Sequence, residues 1–192
     1  MLTEPAVDKL PSLGADLRAL RKSRRMTLAA LSSRVGRSVG WMSQVERDIS
    51  QPSIDELRQI ADALSASVSI FFGQSESVPE ESGYVVRRQN RRRLGRPDAG
   101  LVEELLSPDL TDDFEVVHSI FEAGASMDHP ILRPTTEVGY IISGRLDIEI
   151  GGSRRFTLQS GDSFRFRREA YRWSNPYPEP ATAVWIVAPP VY

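Results

Sequence analysis

The chain changes character near Gly73, and that change limits what it can fold into. Before it, apolar residues recur at the spacing of amphipathic helices. After it, short β-rich runs alternate with Gly and Pro. Between them, residues 73–83 (GQSESVPEESG) are polar and turn-rich, and read as a linker. The expectation is an α + β two-domain chain, with a helical domain over 1–72 and an all-β domain over 84–192.

Five short helices are expected in the first domain. Ser12 caps a helix carrying Leu13, Leu17 and Leu20; Thr27 caps one with Leu28, Leu31 and Val35 turned inward; Ser38 caps a third running to about Arg47. Gly36 ends the second, supplying the left-handed residue that often follows a helix. Ser53-Ile54-Asp55-Glu56 has the spacing of a capping box and opens a fourth helix with Ile54, Leu57, Ile60, Ala61 and Leu64 on one face. A short apolar turn, Val68 to Phe72, closes the bundle. The second domain reads as nine strands, at 84–88, 101–106, 114–122, 137–142, 145–150, 154–158, 163–167, 171–174 and 181–187. Tight hairpin connections are expected at 142–145 and at Gly151-Gly152.

Composition removes several classes. The chain holds no cysteine, which excludes disulfides, thiolate metal sites and cysteine nucleophiles. Its two histidines, His118 and His129, are too few for an imidazole-rich metal centre. No run approaches the ~18 apolar residues of a membrane helix, and the N-terminus carries Glu4 and Asp8 with no apolar stretch, so the expectation is cytoplasmic. The net charge of −2 is uninformative by itself, but basic residues outnumber acidic ones between Pro11 and Ser50, as a phosphate-facing surface requires.

Two short helices broken at Gly36 and restarted at Ser38 form a helix-turn-helix, whose second helix enters the DNA major groove. Gln44 has the geometry for a bidentate contact to adenine, Ser38 and Ser43 are adaptable hydrogen-bonders, and Val39 suits a thymine methyl. Gly40 permits close backbone approach, and Arg37 and Arg47 suit phosphates. Thr27 and Trp41 complete the expected DNA-binding set, although Trp41 reads equally well as a core or dimer-contact aromatic. The cluster Arg21–Arg25 reads either as phosphate-facing or as a solvated helix end.

The fragments Leu17-Arg18-Ala19-Leu20-Arg21, Met26-Thr27-Leu28, Trp41-Met42-Ser43-Gln44-Val45-Glu46-Arg47, Pro52-Ser53 and Ile60-Ala61-Asp62-Ala63-Leu64 resemble the phage-repressor (XRE) helix-turn-helix, over about residues 12–72. The resemblance implies a lambda-repressor-like bundle in which Ser38, Val39, Gly40, Ser43 and Gln44 face the bases while Glu46 and Arg47 support the domain. Asp48 stands where the family usually has Gly; Asp tolerates the left-handed conformation.

The second half resembles the cupin (jelly-roll) barrel. Gly124, Glu137 and Gly144 fall at the spacing of the family's first motif, but its two histidine places hold Pro130 and Leu132, and the second motif, from Gly161-Asp162, offers Tyr171 or Arg172 instead of histidine. No metal and no cofactor is therefore expected, and no enzyme. The candidate ligand-binding residues are Glu137, Tyr140, Arg165, Tyr171 and Arg172. An inward Arg172 beside Glu137 would bind a zwitterion or simply fill the old metal position as an ion pair; strand alternation would then turn Tyr171 and Trp173 outward. The arginines at 87, 88, 91, 92, 93 and 96 read as a solvated strand and turn, or as a second DNA patch. Together the two resemblances imply a dimeric transcription regulator that binds a DNA operator and senses a small-molecule effector. Rival readings are a cupin enzyme with a DNA-targeting head and an antitoxin-like interaction protein.

Overall fold

A computed structural model describes residues 12–66, 68–71, 79–81, 83–94, 100–108, 110 and 112–191. The chain divides into two compact units, one within Met1–Asn90 and Pro108–Thr111, the other within Arg91–Ser107 and Asp112–Tyr192. The linker expected at 73–83 falls largely outside the described residues.

The first unit holds α1 (Leu13–Ser23), α2 (Leu28–Val35), α3 (Val39–Val45) and α4 (Ile54–Ala63). Each starts where a hydroxyl is available: Ser12, Thr27, Ser38 and Ser53 accept from the backbone N–H three residues on, and Ser53 and Glu56 close a reciprocal capping box. The inward stripes bring Leu17, Leu20, Leu31, Met42, Ile60 and Leu64 together with almost no exposed surface. The fifth helix expected at 68–72 is instead a single 3-10 turn, Val68–Phe71, and Phe72 lies outside the described residues. Ser65 takes a left-handed φ of 54°, which ends α4 and leaves a short segment anchored by buried Ile70.

Two side chains tie the helices together. Arg21 donates to Glu46 at 2.6 and 2.8 Å and to the Met26 carbonyl at 2.8 Å, with both charged partners largely buried. Asp48 sits at a φ of 59° and does more than tolerate it: its carboxylate accepts from the Ser12 hydroxyl at 2.5 Å and from the Gly14 N–H at 2.8 Å.

The second unit contains β1 (Arg93–Leu94), β2 (Leu101–Leu105), β3 (Glu115–Phe121), β4 (Thr136–Ser143), β5 (Arg145–Ile150), β6 (Arg154–Gln159), β7 (Ser163–Arg167), β8 (Tyr171–Ser174) and β9 (Ala181–Ala188). They form a six-stranded sheet in the order β1-β2-β3-β9-β4-β7 and a three-stranded sheet in the order β6-β5-β8, antiparallel throughout. The two sheets share one hydrophobic core, as a cupin-like β domain does; closure into a barrel is not seen among the described residues.

The core is strongly aromatic. Phe121 meets Trp173 edge-on at 4.7 Å, Phe164 meets Trp185 edge-on at 4.7 Å, and Phe166 lies 4.5 Å from Tyr171. Gly139 makes room for the Phe164 ring, since a Cβ there would lie 2.0 Å from Cζ.

Two further expectations fail. Residues 84–88 are no strand: the Tyr84 and Val85 N–H groups donate back to the Glu81 carbonyl, Arg87 pairs with Glu81, and a 3-10 turn follows at Arg88–Asn90. The connection at 142–145 is no hairpin, because β4 and β5 belong to different sheets. Gly144, at a φ of 78°, turns the chain from one sheet to the other, and a Cβ there would lie 2.5 Å from the Pro180 carbonyl oxygen. Gly151-Gly152 does join paired strands, β5 and β6. Among the described residues no helix is long and apolar enough to cross a membrane.

Candidate nucleic-acid interface and interior residues

The helix-turn-helix is built from two caps and one glycine. Gly36, at a φ of 70°, ends α2 and returns its N–H to the Ser32 and Ser33 carbonyls; Arg37 N–H also bonds Ser32 O, at 3.0 Å; Ser38 then opens α3. Met42 and Val45 anchor the inner side of α3 in the core. Its other side is left to solvent. Ser38, Val39, Gly40 and Gln44 are exposed, and Trp41 and Ser43 are half-buried. Thr27 is also exposed, at the start of α2, where its hydroxyl caps the helix through the Ala30 N–H.

Arg37 is held from two sides. Its guanidinium pairs with Glu56 and lies over the Trp41 ring, 5.3 Å from the centroid. Bonds from the Ser53 backbone and hydroxyl, and then Arg37, hold the Glu56 carboxyl below the usual carboxylate range. Arg47 bonds the Ser43 carbonyl at 3.1 Å and remains exposed. Exposed Arg18, Lys22, Arg25 and Arg34 add positive charge to this unit. Arg21 and Arg24, from the same cluster, are structural instead: one meets Glu46, the other bonds the Leu64 carbonyl at 3.0 Å.

In the second unit the five candidate ligand residues do not converge. Glu137 has no exposed surface; its Oε2 accepts from the Trp185 indole N–H and its Oε1 from the Thr135 hydroxyl, both at 2.7 Å. Tyr171 is buried beside it, facing the same interior. Burial raises the ionisation of the Tyr171 hydroxyl well above its ordinary value. Tyr140 is half exposed and Arg165 exposed, both on the outer side of the six-stranded sheet.

Of the two alternatives that the sequence leaves open, Tyr171 faces the interior: β8 buries Tyr171 and Trp173, so Arg172 points out and pairs with Glu149 at 2.9 Å. It lines an outer cavity of about 470 Å³ with Asp147, Glu149, Arg155 and Thr157. The polar groups of that cavity already satisfy one another: Glu149 takes Arg155 and Arg172, and Asp147 takes Thr157 and Tyr177.

A metal does not fit this interior. His118 alternates outward on β3, His129 is exposed, and among the described residues no three His, Cys, Asp or Glu side chains form a metal-ligating group. In the arginine run, Arg87 pairs with Glu81 and Arg91 with Glu104, Arg92 is buried, and Arg96 lies outside the described residues.

A family model described as a helix-turn-helix domain matches residues 12–69, and one described as a cupin domain matches residues 117–187. The chain is 28% identical over 155 residues to the HTH-type transcriptional regulator SutR of Escherichia coli (strain K12), covering 80% of this chain and 81% of that one. It is 31% identical over 70 residues to the immunity repressor protein of Bacillus phage phi105, covering 36% of this chain and 49% of the repressor, about half its length. Among solved structures, a helix-turn-helix family transcriptional regulator from Vibrio cholerae is 25% identical, with 93% of this chain and 95% of that one covered and a TM-score of 0.46.

Proposed function

We propose that this chain, which matches a helix-turn-helix and a cupin domain and is similar to a transcriptional regulator over most of its length, binds a two-fold symmetric DNA operator through α3, as a homodimer whose operator affinity is set by a small molecule in the cupin unit. The observation that carries the DNA-reading part is the outer face of α3. Ser38, Val39, Gly40 and Gln44 are left without burial on a helix whose other side is fixed by Met42 and Val45. Such a face offers hydrogen-bonding and methyl contacts for base edges, while exposed Arg47 and Arg34 suit phosphates.

The second copy is assigned to the outer face of the six-stranded sheet. There Val116, Ile186 and Val138 lie in register across β3, β9 and β4, next to the row His118, Val184 and Tyr140. An apolar face of this kind on a symmetric regulator suits an isologous contact. The full chain should sediment as a dimer; a monomer would overturn this assignment.

The test of DNA reading is binding of the purified chain to genomic fragments from around its own gene, at increasing salt. One fragment should survive salt that releases the others. Uniform, salt-labile binding to every fragment would overturn the proposal.

A further inference from the structure

Between the two sheets lies a polar cluster that DNA reading does not use. Glu103 alternates on β2 with Leu101 and Leu105, and its register partner on β3 is Ser119, which alternates with buried Val117 and Phe121. Glu103 and Ser119 therefore point inward, toward Glu137 and Tyr171. Glu103 is only half-buried, as is Arg133, so this side of the interior reaches solvent.

Burial holds the Glu103 carboxyl above its ordinary value; Arg133 and Ser119 act against that shift and Glu137 adds to it. Arg133, Glu137 and Glu103 act in turn on the Tyr171 hydroxyl. The groups thus share one electrostatic neighbourhood, in which two carboxylates face one guanidinium.

One member is unsatisfied. Ser119 is 1% exposed, and its Oγ lies beside the Glu103 carboxyl without a bond in full hydrogen-bonding geometry. Native interiors seldom leave a buried hydroxyl in that state. Around the cluster stand the rings of Trp185, Phe166 and Tyr171, whose faces favour a cation.

We propose that Glu103, Ser119, Glu137 and Tyr171 form a binding site for the ammonium group of a small organic molecule. An ammonium brings three N–H donors and a compact positive charge. The two carboxylates accept from it, since Glu137, which meets Trp185, Thr135 and the Tyr171 hydroxyl, still has a fourth acceptor position, and Ser119 Oγ accepts the third donor. The outer cavity beside Arg172 offers no comparable vacancy, because its charged groups are already paired. Arg133 is placed to receive a carboxylate if the ligand is an amino acid; a diamine would leave it to solvent. The inference names the ligand chemistry of the sensing function proposed above, and rests on that reading for any effect on DNA.

The test is calorimetric titration of the full chain, in amine-free buffer, with n-butylamine, 1,4-diaminobutane, L-norvaline and, as the control without an ammonium, butyrate. At least one ammonium compound should saturate a single site, and butyrate should not. Glu103→Gln should weaken binding about tenfold or more, and Ser119→Ala, which removes an unpaired hydroxyl and so spares the fold, should weaken it measurably. Preference for L-norvaline over n-butylamine would identify an amino-acid site, and preference for 1,4-diaminobutane a diamine site; either supports the proposal. Absence of saturable binding by every ammonium compound, equal binding of butyrate, or unchanged affinity in both variants would overturn it. Operator binding is measured on the same samples. Unbound ammonium compounds with operator binding intact would sink the site alone, whereas a bound ammonium compound that leaves operator affinity unchanged would sink the sensing reading alone.

Discussion

The indole N–H of Trp185 donates to Glu137 Oε2 at 2.7 Å, which gives a carboxylate with no exposed surface a fixed donor on the strand beside its own. The Thr135 hydroxyl serves the other oxygen. In Trp185→Phe an aromatic ring still packs against Phe164 and Phe166, while Oε2 loses its donor. Leaving a buried acceptor unmet costs about 1–3 kcal/mol, and urea unfolding of the variant should show a loss in that range. A loss no larger than the error of the measurement would mean that water serves Oε2 instead.

The Arg21–Glu46 pair is the corresponding internal anchor of the helical unit. It joins α1 to the residue that caps α3, and Glu46 holds the Arg21 guanidinium further into its charged form. Glu46→Ala leaves Arg21 largely buried with one backbone acceptor. Breaking a buried pair from one side costs roughly 3–5 kcal/mol. Thermal unfolding should therefore drop sharply in Glu46→Ala and less in Glu46→Gln, which keeps one acceptor. Equal stability of the three proteins would show that the pair is solvated.

Much of this arrangement was legible in the sequence where a local rule decides it. The four hydroxyl caps, the left-handed Gly36 and the boundaries of β5, β7 and β8 follow from side chains next to the backbone they serve. Where long-range pairing decides, the reading failed. Nothing local at Gly144 distinguishes a hairpin from a passage between sheets; the decision lies in the distant partners, β7 and β9 for β4 and β6 and β8 for β5. Tyr84–Arg88 has the composition of a strand but no partner, and the Glu81 carbonyl takes its N–H groups. Which of Tyr171 and Arg172 faces in stays open in the sequence, because both phases of alternation fit the strand; burial of the Trp173 ring decides it. Glu103 was overlooked, yet its spacing from Leu101 and Leu105 is the signal that would have turned it inward.

On α3, exposed Gln44 and exposed Arg47 should separate sequence reading from phosphate holding. Gln44→Ala is expected to lose about 1–3 kcal/mol of operator binding with relaxed specificity at one position. Arg47→Ala should weaken specific and non-specific DNA alike and lower the salt slope by about one. Arg37→Ala should behave differently from both. Its charge is already met by Glu56 and its guanidinium lies over Trp41, so affinity falls while the salt slope changes less than in Arg47→Ala. Fluorescence anisotropy across a salt series reads all three. Identical salt slopes for Arg37→Ala and Arg47→Ala would mean that Arg37 leaves Glu56 for a phosphate on binding.

Glu103 gives the cupin unit a pH dependence whose sign is fixed by its environment. Burial raises its folded-state value above the ordinary 4.5, so between the two values the folded chain keeps a proton that the unfolded chain has released. Stability contributed by this residue is therefore present below the ordinary value and lost as pH rises through the folded one. Glu103→Gln stays neutral and lacks that loss, so its melting temperature should gain on the wild type as pH increases across this window. A bound ammonium group favours the ionised carboxylate, so affinity for n-butylamine should rise over the same window in the wild type and stay flat in Glu103→Gln. Parallel melting profiles for the two proteins would show that Glu103 titrates as it does in water, and a pH-independent wild-type affinity would show that its carboxylate does not meet the cation.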